Sequence, residues 1–141
     1  MNREKLLELY KKYELTKDDV YKHQHYVIIT RKGIEKIQAK ENITITYEVI
    51  KCETNFAVFK ATSYINDKPN RTIETFGSAL KGSGFKDGNC NTWYVAEMAE
   101  KRALSRAVLK LTGFYELGVF GEDESEDFKK VNKDKLINLN K

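Results

Sequence analysis

Residues 96–113, Ala-Glu-Met-Ala-Glu-Lys-Arg-Ala-Leu-Ser-Arg-Ala-Val-Leu-Lys-Leu-Thr-Gly, constrain the fold more than any other stretch of this chain. Ala96, Ala99, Ala103, Leu104, Ala107, Val108 and Leu111 recur at three- and four-residue spacing, so a helix places them on one stripe that must face a core. Most of that stripe is alanine, which lets the helix approach its partner surface closely. Met98, Arg102, Ser105, Arg106 and Leu109 fall on the other side, with Arg102 and Arg106 one turn apart. A pair of guanidinium groups turned to solvent is well suited to grip phosphate. Gly113, followed by Phe114 and Tyr115, stops the helix.

Upstream, the patterning changes from helical to alternating. Residues 2–13 fit a short amphipathic helix, and Thr16-Lys-Asp-Asp reads as a second helix start. Tyr26-Val-Ile-Ile-Thr is a strand, and residues 33–41 place Ile34, Ile37 and Gln38 at helical spacing. Ile43, Ile45, Tyr47 and Val49 alternate along the next strand. Residues 56–65 put Ala57, Phe59, Ala61, Ser63 and Ile65 on one face and Phe56, Val58, Lys60, Thr62 and Tyr64 on the other. A turn at Asn66-Asp-Lys-Pro-Asn returns the chain as a strand over residues 71–76. Gly77, Gly82, Gly84 and Gly88 mark a long loop before Asn91 or Thr92 caps the long helix. The expected class is α+β: an antiparallel β-meander packed on one long helix, a β-β-β-α core preceded by a helix, a strand and a helix. The alanine face of residues 56–65 and the alanine stripe of the helix match in size and are expected to pack together.

The 141 residues suffice for one domain. With 40% hydrophobic and 33% charged residues the chain has the composition of a soluble globular protein. No apolar run approaches the ~20 residues that span a membrane, and the N-terminus has no secretory pattern. Cys52 and Cys90, far apart in sequence, read as reduced thiols, and the expected location is cytoplasmic. The net charge of +4 hides a division. Residues 1–115 carry 20 lysines and arginines against 14 acids, residues 116–127 carry six acids and no base, and residues 128–141 carry five lysines and Asp134. The expected organisation is a single domain over residues 1–120 and an acidic, then lysine-rich, disordered tail over 121–141, with a short helix possible around Phe128, Val131 and Leu136. A basic body followed by an acidic segment suggests an anionic partner and a tail that competes with it.

Candidate binding residues follow from this charge pattern. Lys101 and Lys110 extend the Arg102/Arg106 pair, although Glu97 stands four residues before Lys101 and suits an internal pair. Arg31, Lys32, Lys36 and Lys40 form a second basic group, which ordinary solvation also explains. Lys60 lies between Phe56 and Tyr64 on a strand face, the interleaving expected where bases stack and phosphates are neutralised. Glu100 falls within the apolar stripe and, if buried, needs a donor or a cation. His23, His25, Cys52 and Cys90 show no metal-ligand spacing, so no metal or other cofactor is expected. The loop Gly77-Ser-Ala-Leu-Lys-Gly82-Ser83 lacks the lysine that a phosphate loop requires. No nucleophile–base arrangement is evident, and an enzyme is not the expected class.

The segment Ala99-Glu-Lys-Arg-Ala-Leu-Ser-Arg-Ala-Val108, following three strands and preceding Gly113, resembles the single-strand annealing proteins of phages in the Rad-fifty-two-like recombinase superfamily. Many of those carry Ala-Glu-Thr-Arg-Ala-Ile-Gly-Arg-Ala-Leu in this helix. Residues 26–37, an aliphatic strand leading through Gly33 into a helix, are similar to their upstream segment, so the resemblance covers residues 22–120. Lys101 and Ser105 depart from that pattern. The resemblance implies a homo-oligomeric ring or filament that holds single-stranded DNA in a basic groove and anneals it to a complementary strand without nucleotide hydrolysis, in recombination, repair or phage replication. Arg102 and Arg106 would be phosphate contacts, joined by Lys101 and Lys110. Two other classes compete with it: a small enzyme or ligand-binding domain with a pocket near Glu100, Tyr47 and Tyr64, and an adaptor that acts on a protein partner through residues 116–141.

Overall fold

The computed structural model describes residues 3–82 and 87–124. Two three-stranded sheets meet on one long helix. The larger sheet is the antiparallel meander β3 (Ile43–Cys52), β4 (Phe56–Ile65) and β5 (Lys68–Leu80), with β4 in the middle. The smaller has the order β1 (Val20–His23), β2 (Tyr26–Ile29), β6 (Val119–Gly121), and β6 runs parallel to β2. Helices α1 (Arg3–Lys12) and α2 (Arg31–Glu41) belong to the N-terminal half, and α3 (Val95–Thr112) packs on the larger sheet and on β6. The fold is α+β with a β-β-β-α core, as the patterning implies.

Alternation along β4 decides how α3 sits. Ala57 and Ala61 are fully buried against a helix whose Ala99, Ala103 and Ala107 are fully buried too. Thr75, Gly77 and Ala79 of β5 share that face. A Cβ on Gly77 would overlap the Ala99 carbonyl oxygen and stand 2.5 Å from the Ala103 nitrogen, so the strand passes the helix backbone where only glycine fits. The Thr75 hydroxyl donates to the Ala103 carbonyl at 2.8 Å. Val95 and Ala99 pack with Ala57 and Ala79, whereas Val108 and Leu111 join Ile43 and Ile65 in the larger apolar core with Ile34, Ile37 and Phe114. Helix α3 therefore runs in the direction of β4, antiparallel to both edge strands.

Several local expectations give way to tertiary context. Thr16-Lys-Asp-Asp starts no helix. The buried Asp19 carboxylate accepts the Thr16 amide at 2.9 Å and the Lys36 ammonium at 2.6 Å, closing a turn into β1, a strand the sequence did not announce. Strand β5 continues through Gly77 to Leu80 instead of loosening into a loop, and Ser83 and Gly84 lie outside the described residues. Pro69 falls inside β5, tolerated because β5 is an edge strand. The α3 N-cap is Tyr94, with no side-chain capping bond, rather than Asn91 or Thr92. The chain beyond Gly121 was expected to leave the fold, yet residues 122–124 form a helical turn with Glu124 buried. Residues 125–141, including Phe128, Val131 and Leu136, lie outside the described residues. Among the described residues no helix is long and apolar enough to cross a membrane.

Two outcomes follow from these contacts. Gly77→Ala should destabilise the protein by about 3 kcal/mol, read by urea denaturation, because the obstacle is backbone and the helix must move. Burial pushes the Asp19 pKa up, but the bonds from Lys36 and Thr16 outweigh it and hold the carboxyl below the usual carboxylate range. The bonded carboxylate therefore contributes its full stabilisation above the unfolded value and loses it as pH falls through the lower folded value. Asp19→Asn should flatten the acid limb of the stability–pH profile while lowering stability at neutral pH.

Candidate functional site

Helix α3 lays Arg102 and Arg106 along the outer edge of β5, with Arg102 buried and Arg106 partly exposed. Arg102, expected on an exposed face, is only 3% exposed. Its Nη1 donates to the Ser78 carbonyl at 2.7 Å, Nη2 to the Asn89 carbonyl at 2.7 Å, and Nε to the Asp123 carbonyl at 3.2 Å. Arg106 donates from Nη1 to the Phe76 carbonyl at 3.1 Å and from Nε to the Glu124 carboxylate. The geometry explains the pairing. Four helical residues rise about 6 Å, and two strand residues span about 6.8 Å, so two arginines one turn apart meet two successive outward carbonyls of an edge strand. Ser105 and Leu109, expected on the same exposed side, are buried as well. β6 closes over this flank, and a Cβ on Gly121 would lie 2.8 Å from that of Ser105.

The acidic residues after β6 complete the arrangement. Asp123 accepts from the Ser105 hydroxyl at 3.3 Å and pairs with Arg31 at 3.6 Å, while Glu122 accepts the Arg31 amide at 3.2 Å. Arg31, Arg102 and Arg106 are thus brought together, but around residues 122–124.

The other predicted cations are dispersed. Lys36 is held by Asp19 and donates to the Glu14 carbonyl at 3.2 Å. Lys60 pairs with Glu74 at 3.1 Å, and Lys110 stands 5.2 Å from the Tyr115 ring centre. Lys32 is exposed and Lys101 half-buried. Glu100, expected in the core, is exposed, on a flank of the helix that neither sheet covers. Burial, and then the Glu100 charge, push the Tyr47 phenol up to about 12. Tyr47 pairs with Ala61 on the helix side of the sheet and Tyr64 with Thr44 and Thr72 on the opposite side, so these two tyrosines and Glu100 line no common pocket. Among the described residues no three His, Cys, Asp or Glu side chains stand together as a metal site. Cys52 is exposed, Cys90 buried, and both are free thiols.

A different surface emerges from the sheet. The face of β3-β4-β5 turned away from α3 bears Phe76, directly opposite Lys60, and Phe56, directly opposite Leu80. Phe76 is 50% exposed. The Lys51 ammonium lies 5.9 Å from the Phe56 ring centre. Immediately after Leu80, Lys81 stands 5.1 Å from the Trp93 ring centre, and Trp93 and Tyr94 are 65% and 70% exposed at the start of α3. Sequence reasoning named Lys60 and Phe56 but missed Lys81, Trp93 and Tyr94. Their signal was present, because the chain's one tryptophan directly precedes its longest helix. No protein-family model matches the chain, and neither the curated proteins nor the solved structures yield a match.

Arg102→Ala should cost about 3 kcal/mol, since three backbone carbonyls lose a charged donor that is itself buried. Arg106→Ala, half exposed, should cost about 1 kcal/mol. Urea denaturation of the two variants separates a structural guanidinium from a surface one.

Proposed function

We propose that this protein binds single-stranded nucleic acid and anneals complementary strands, without nucleotide hydrolysis and as a homo-oligomer. The observation that carries the reading is the run of lysines beside aromatics, Lys60 across the strands from Phe76, and the cation–aromatic couples Lys51 with Phe56 and Lys81 with Trp93, along the open sheet face to the head of α3. Exposed aromatic rings have an apolar face without a partner, and unpaired bases supply one. Ammonium groups beside them neutralise the phosphates that link those bases. Such a surface is indifferent to sequence, and it leaves base edges free to pair with a second strand. The β-β-β-α core and the resemblance of residues 99–108 support the same reading. Arg31 and Arg106 join the surface only when Asp123 and Glu124 release them, so the acidic segment competes for the cations the sequence marked as phosphate contacts.

Trp93, the only tryptophan, makes the reading directly measurable. Titration with oligothymidylate should quench its fluorescence, and the affinity should fall steeply with salt. Trp93→Ala/Tyr94→Ala should weaken binding by about tenfold or more, as stacking contributes about 1–3 kcal/mol per base. A full-length protein that neither quenches nor binds in low salt overturns the proposal. Asp123→Asn/Glu124→Gln should tighten binding several-fold and steepen its salt dependence by freeing Arg31 and Arg106; unchanged binding would confine those arginines to the fold.

A further inference from the structure

At the far end of α3 from Trp93, a groove of about 360 Å3 opens between α1, the start of β5 and the helix C-terminus. Lys5 and Lys12 of α1 and Lys68 and Arg71 of β5 line it, together with Glu41 and Glu116. We propose that this groove binds a phosphate chain, the backbone of the same single strand that stacks at the other end of the helix. The proposal rests on the nucleic-acid reading above. None of these four cations is among those the sequence singled out.

The charge balance favours an anion. Glu41 is already satisfied: Lys12 pairs with it at 2.8 Å and the Tyr13 hydroxyl donates to it at 2.6 Å. Those two bonds, with the Lys12 and Lys68 charges added, hold its carboxyl below the usual range against the burial that raises it, so it stays ionised. Even with Lys5 left aside, Lys12, Lys68 and Arg71 stand against Glu41 and Glu116, and a positive excess remains. The carbonyl dipole at the end of α3 opposes an anion here, but only partial charge stands against full ones. All four cations and Glu116 are exposed, so the groove is a channel suited to an extended polyanion and not an enclosing pocket. Arg71 supplies the planar fork that matches phosphate oxygens, and Lys68 the point charge. The 18 residues of α3 put about 27 Å between this groove and the aromatic pair. A strand touching both must therefore lie along the length of the helix.

The test uses the full chain and two probes: an end-labelled oligothymidylate followed by anisotropy, and inorganic tripolyphosphate followed by calorimetry. Lys68→Gln/Arg71→Gln should abolish tripolyphosphate binding and weaken oligothymidylate binding by about tenfold. It should also reduce the logarithmic salt slope by about 1.4, two phosphates on a single strand. Lys17→Gln/Lys22→Gln removes the same charge elsewhere and should change either affinity less than about twofold. Lys68→Arg/Arg71→Lys, which keeps the charge, should restore binding, and circular dichroism checks that each variant folds. Equal effects of the groove and control variants, or none from the groove variant, overturn the groove while leaving the nucleic-acid reading intact. Tripolyphosphate binding that depends on the groove, in a protein that ignores oligothymidylate, overturns the nucleic-acid reading and keeps the phosphate site. Binding of neither probe overturns both.

Discussion

Helix α3 and strand β5 are locked by two kinds of contact that reinforce each other. Alanines and Gly77 bring the backbones together, and the guanidinium groups of Arg102 and Arg106 then reach the Ser78 and Phe76 carbonyls on the strand's outer edge. The first contact sets the distance and the second sets the register. Arg102 adds the Asn89 and Asp123 carbonyls, so the loop before α3 and the segment after β6 are tied to the same group. An edge strand with bare carbonyls invites pairing with another chain. Here its carbonyls at Ser78 and Phe76 are occupied from within.

This interlock also explains which functional surface remains. Because α3 is enclosed by the meander on one flank and by β6 with residues 122–124 on another, little of it is left to meet a ligand. It exposes its two ends and a flank that carries Glu97 and Glu100, and the sheet exposes the face it does not use for packing. The aromatic couples lie on that face and at the head of the helix; the lysine- and arginine-lined groove lies at its tail. The central part of the helix works as scaffold.

The sequence was most legible where one face of an element is buried and the other is not. Alternation placed Ala57 and Ala61 toward the core, and the alanine spacing correctly paired them with Ala99 and Ala103. It failed where a helix is buried on more than one side. Arg102 and Ser105 look solvent-exposed on a helical wheel, but the wheel has no knowledge of β6, a three-residue strand whose pairing with β2 spans most of the chain. The same blindness affected Glu100, whose place among alanines suggested burial that no element supplies. The cations of the candidate groove are scattered between Lys5 and Arg71, and only the fold brings them together.

The pairing of β6 with β2 has a further implication for the birth of the molecule. The meander and α3 are contiguous from Ile43 to Thr112 and can assemble as they emerge during synthesis. The small sheet cannot close until residues 119–121 have left the ribosome. At about 5–20 residues per second, the β1–β2 hairpin waits several seconds with Val27 and Ile29 lacking their last neighbour. Arg102 waits with it, because its Asp123 acceptor arrives later still. The nascent chain thus holds a hydrophobic edge and a partly unpaired guanidinium until the turn at residues 122–124 is made, the interval in which a chaperone has most to offer it.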